Sequence, residues 1–158
     1  MTAYRSWPRP ARTLAEAVDA GVSAAQAGDA PAFASALADL QRVDREQLSS
    51  VLGTLTHTLV ERHHPDGFDS DDISAILTRC VASDDWYAAF DIDALVRALT
   101  DVLGVSDVDN QPEVDPDAVL AHGILLITDL LAERREPLPP LLELALGELM
   151  RDQTMELP

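Results

Sequence analysis

Apolar residues recur along this chain at spacings of three and four, and no stretch sustains the alternation of a half-buried strand, so the pattern predicts helices only. Thr13-Leu14-Ala15-Glu16 has the form of a capping box, in which hydroxyl and carboxylate satisfy two orphan amides. A first helix is therefore expected from Thr13, with Leu14, Val18, Val22 and Ala25 on one face and Gly28 at its end. Asp29 caps a short second helix carrying Phe33, Leu37 and Leu40, and Asp44 with Gln47 opens a third that runs to about His63. Pro65 stops it, because the residue before proline avoids helical backbone.

A fourth helix starts at Asp69 or Ser70 and should bury Ile73, Ile76, Leu77, Cys80 and Val81. The stretch Asp85 to Phe90 reads as a short helical turn before Asp91 or Asp93 caps a fifth helix, which bears Leu95, Val96, Leu99, Val102 and Leu103 and exits at Gly104. Ser106 to Asp115 is the longest expected loop. Asp115-Pro116 supplies a cap and a first-turn proline for a sixth helix over 116–134. Leu120, Ile124, Ile127 and Leu131 form its main stripe, and Val119, Leu126 and Leu130 widen it beyond what a surface helix shows, which makes this the central helix. The segment Glu136 to Pro140 breaks the chain before a last helix with Leu142, Ala145, Leu146 and Leu149. The expectation is an all-α fold, a bundle or irregular array of six to seven helices with no fixed internal repeat.

Composition adds constraints on function. With 158 residues and one cysteine, the chain suits a single core without an internal disulfide, and the absence of C-x-x-C removes zinc-ribbon and thioredoxin-type chemistry. The most apolar run, Gly123 to Ala132, is about half a membrane span and contains Asp129, so a buried helix is expected there. No signal-peptide pattern is read at the N-terminus, and a reducing, cytoplasmic location is the expectation. Eleven basic against 28 acidic residues give a net charge of −17, with no lysine anywhere, which argues against direct binding to a phosphate backbone.

Three of the four histidines lie between His57 and His64, beside many carboxylates, and raise the question of a metal. With Leu48 at zero, Val51, Leu52, Leu55 and Leu59 fall within about 60° of the core direction, while His57, Glu61 and His64 lie near 180°, 220° and 160°. That ridge should face water, where only adventitious metal binding is reasonable, because a catalytic ion needs an enclosed cavity with supporting hydrogen bonds. An H-E-x-x-H arrangement is absent, and an EF-hand register on Gly67 places Arg62 and Ile73 where carboxylates are required. His63 and His64 fit a helix C-terminus, which favours protonated imidazole. His122 falls near Asp129 by helical angle, a structural polar contact, and Cys80 lies on an apolar face where its thiol is inert. Phosphate loops, nucleophile elbows and dinucleotide fingerprints are missing, so no catalytic, cofactor-binding or metal-ligating residue is assigned.

The remaining feature is an asymmetry of charge and aromatic residues. Residues 1–12 form a basic arm, with Arg5, Arg9 and Arg12 and no acid before Glu16, ahead of a single helical domain over 13–158. Five of the seven aromatic residues fall in two segments: Tyr4 and Trp7 in the arm, and Trp86, Tyr87 and Phe90 beside Asp84 and Asp85. These ten residues are the candidate interaction site, the arm docking on an acidic aromatic surface of its own body or of a second copy. The functional expectation is a non-catalytic, acidic protein-interaction or regulatory protein that binds a protein partner or itself. A binder of a small apolar ligand, with its pocket around the helix over 116–134, is the alternative. An acidic mimic of nucleic acid that fills a basic protein's groove is the third reading.

Overall fold

The computed structural model describes residues 4–104 and 113–155, and among these the fold is all-helical with no strand. Seven helices follow one another: α1 (Arg9–Ala27), α2 (Ala30–Leu40), α3 (Arg45–His63), α4 (Ser70–Ser83), α5 (Ile92–Leu103), α6 (Pro116–Arg134) and α7 (Leu138–Met155). Most start for a reason visible in four residues of sequence. Asp29, Asp44, Asp69, Asp91 and Asp115 each accept a hydrogen bond from a backbone amide two or three positions on. At Asp69 the arrangement is reciprocal, since the Asp72 carboxylate accepts from the Asp69 amide.

Helix α1 departs from the expected start. It begins at Arg9 after Pro8, and Thr13 and Glu16 are exposed residues inside it. Pro8 and Pro10 do not break it, because the first-turn amides have no intrahelical acceptor to lose. Gly28 ends it at φ 64°, with its amide on the Ala25 carbonyl and that of Asp29 on the Ala24 carbonyl, which turns the chain directly into α2. Residues 9–12 thus belong to the helical body.

Two further boundaries differ, and so does the burial of one residue. Asp84 to Phe90 is two successive tight turns, closed by Tyr87 N–H on the Asp84 carbonyl and Phe90 N–H on that of Tyr87, and contains no helix. The break between the last two helices covers 135–137, beginning at Arg135, a non-glycine residue at φ 54°, and Pro139 and Pro140 sit in the first turn of α7. Val81, expected inside, is 54% exposed, because it lies about 140° around α4 from Ile76, which is buried. The loop expected over 106–115 falls mostly outside the described residues.

Helix α6 is central. It packs against α1, α3, α4 and α5, and Leu120, Ile124, Leu125, Leu126, Ile127, Leu130 and Leu131 are all buried around its circumference. Helices α1 and α2 form a hairpin on one side, and α3 with α7 covers another. Gly21 lets α1 approach closely, since a Cβ there would stand 3.4 Å from the Ile124 side chain. No helix among the described residues is long and apolar enough to cross a membrane.

Candidate functional site

Packing is incomplete where α3, α5 and α6 meet, and a cleft of about 460 Å³ remains there. Its α3 wall is built from Arg45, Ser49, Leu52, Gly53 and Thr56, at the helical spacings that share one face. Arg97, Ala98, Asp101 and Val102 of α5 form the facing wall, and Val119, Gly123 and Leu126 of α6 the floor. The space exists because small side chains meet. A Cβ at Gly53 would find nothing within 4 Å, and one at Gly123 would only touch a Leu52 methyl at 4.0 Å. Glycine inside a helix costs roughly 1 kcal/mol relative to alanine, so alanine would fit better at both positions if stability alone were served.

The rim is polar and its charges are held. Arg45 forms an ion pair with Asp117, joining the first turns of α3 and α6. Arg97 faces Asp101 in charge, and burial pushes the Asp101 carboxyl above its ordinary range while Arg97 draws it back. Thr56 is buried, its hydroxyl donating to the Leu52 carbonyl at 2.8 Å. An apolar floor with a few fixed polar groups at its edge is how small-molecule sites are built.

A second polar cluster ties the far ends of α3, α4 and α6. Arg79 grips Asp129 through Nε and Nη2 at 3.2 and 2.9 Å and reaches Glu133 at 3.3 Å. His63 Nδ1 donates to Glu133 at 2.9 Å, with its Nε2 buried and without a partner among the described residues. His63 is the last residue of α3, the helix end where the sequence places it, and its side chain is 1% exposed against Glu133 of α6. Cys80 lies beneath the cluster, where burial and then Asp129 and Asp84 raise its thiol pKa far above the ordinary value, so it offers no nucleophile.

His122 is likewise not partnered with Asp129, which Arg79 holds. It is fully buried, with Nδ1 2.6 Å from the Ala118 carbonyl and Nε2 accepting the Asp91 amide at 2.9 Å. A carbonyl can only accept and an amide only donate, so the ring is a neutral imidazole protonated at Nδ1, and burial lowers its pKa accordingly.

The histidine ridge is only partly as expected. His57 and Glu61 are exposed and 3.3 Å apart, but α3 ends at His63, and His64 turns toward Phe68 and Asp72. Among the described residues no three histidine, cysteine, aspartate or glutamate side chains are placed to hold a metal ion.

The ten candidate interaction residues fall in two places. Tyr4 is buried, its hydroxyl donating to Asp19 at 2.8 Å, and Trp7 packs against the core. Arg5 and Arg9 are exposed and Arg12 half-buried, and none of the three enters an ion pair among the described residues. Trp86 and Tyr87 set ring edges on Phe33 of α2 at 5.3 and 5.2 Å, and Tyr87 and Phe90 flank His122. Asp84 is buried and Asp85 exposed. No ring contact or ion pair among the described residues joins the arm to this turn. No protein-family model, curated protein or solved structure matches the chain.

Proposed function

We propose that this chain is a binding protein for a small, mainly apolar molecule held between α3, α5 and α6. The observation that carries the reading is the cleft cleared by Gly53 and Gly123 beside the central helix, at a cost in helix stability that packing does not recover. A flat docking patch for a protein has less support, since the exposed large apolar residues among those described, Val81, Ile92, Leu144 and Met155, are spread over three helices.

The test is titration with N-phenylnaphthylamine, a neutral aromatic fluorophore, against the protein and a Gly53→Leu variant. Leucine there fills the cleft without striking a neighbour at Cβ and improves helix propensity, so the variant should fold. Saturable binding at one site, lost in Gly53→Leu, is expected. Absent binding, or binding indifferent to the substitution, would overturn the proposal.

A further inference from the structure

The charges at the cleft run against those of the chain. Eleven arginines are set among 28 side-chain carboxylates, yet two of them, Arg45 and Arg97, stand on opposing walls of this one cleft, with Asp101 the only acidic residue lining it among the described residues. Arg45 is the first residue of α3 and Pro116, also on the lining, the first of α6, so two helix starts, capped by Asp44 and Asp115, meet at the cleft. A guanidinium has five N–H donors and one carboxylate engages two of them, so pairing with Asp117 holds Arg45 in position and leaves donors for a second acceptor.

Resting on the ligand-binding reading above, we infer that the ligand is an amphiphilic anion: an apolar body seated against Leu52, Val119 and Leu126, with one carboxylate or similar acid group at Arg45 and Arg97. The net charge of −17 does not forbid this, because salt at physiological strength screens charges beyond about 8 Å and leaves the local guanidiniums in control. Asp101 is the opposing group at the rim.

Two fluorophores with the same ring system separate the possibilities: anilinonaphthalene sulfonate, an anion, and N-phenylnaphthylamine, which lacks the sulfonate. Each is titrated into the protein, Arg45→Gln and Arg97→Gln, with circular dichroism to show that the variants fold. The expected result is that each substitution weakens the anionic probe roughly five- to tenfold, as loss of a charge-assisted hydrogen bond does, and leaves the neutral one unchanged. Added salt should likewise weaken only the anion. Binding of the neutral probe alone, or anion binding that ignores both arginines, overturns the anionic assignment and leaves the cleft as a neutral-ligand site. Failure of both probes overturns the assignment together with the binding function it rests on.

Discussion

Replacing Asp84 with asparagine should stabilise this protein at neutral pH. Asp84 ends α4 as its C-cap, is 8% exposed, and has one carboxylate oxygen buried without a partner among the described residues. Burial first, then Asp129 and Asp85, raise its pKa from an ordinary 3.8 to about 6, against a smaller opposing pull from the Ser83 hydroxyl. A carboxyl with a raised folded pKa contributes stability that is complete below the unfolded value and is lost as pH climbs through the folded one. The window therefore runs from about pH 4 to about pH 6, and two pH units at 1.36 kcal/mol each set an upper bound of ~3 kcal/mol for the loss. Asparagine is neutral throughout. Urea unfolding of both proteins across this range, followed by circular dichroism, isolates the residue, because the other titrations cancel in the difference. Near-equal stability at about pH 4 and a gain of about 1–3 kcal/mol for Asp84→Asn at pH 7 are expected. No gain at neutral pH, or one that does not vary with pH, would refute the reasoning.

His122 should act in the opposite sense: its folded pKa is lowered, so the stability it supports is present above about 6.5 and declines as pH falls below that, and ring nitrogen NMR should show the neutral Nδ1-protonated form at pH 6. A charged ring there would contradict the two hydrogen bonds. Tyr4→Phe keeps the ring but removes the bond to Asp19, so thermal or urea unfolding should register a loss of about 1–3 kcal/mol; unchanged stability would mean that the arm is not held as described. Arg135→Gly should raise stability by about 0.5–1 kcal/mol, because Arg135 occupies left-handed backbone at φ 54° as the αL residue ending α6, and a loss would show that its side chain contributes more than its backbone strain costs.

Helix positions were legible in the sequence wherever the governing interaction spans a few residues. The aspartate caps at 29, 44, 69, 91 and 115 are of this kind, and so is the wide apolar surface of α6. The start of α1 was misread for an equally local reason: Thr13 and Glu16 have the spacing of a cap, and two prolines resemble a break, yet a proline in a first turn forfeits nothing. The partners of the polar residues were not legible. Helical angle sets which way a side chain leaves its own axis, but not which neighbouring helix it meets, and the pairs that matter here are far apart in sequence. Asp129 meets Arg79 across 50 positions, His63 meets Glu133 across 70, and Arg62 meets Glu136 across 74. The cleft was hidden for the same reason, since Gly53 and Gly123 lie on different helices and each alone is an ordinary helix glycine. A usable signal was nonetheless present. Thr56, His63 and His122 interrupt otherwise apolar inward faces, and two interior glycines occupy positions where alanine would serve the helix better. Such local departures from the best helix sequence are tolerated when something outside the helix depends on them, and in this fold they coincide with the buried histidine contacts and with the cleft between α3, α5 and α6.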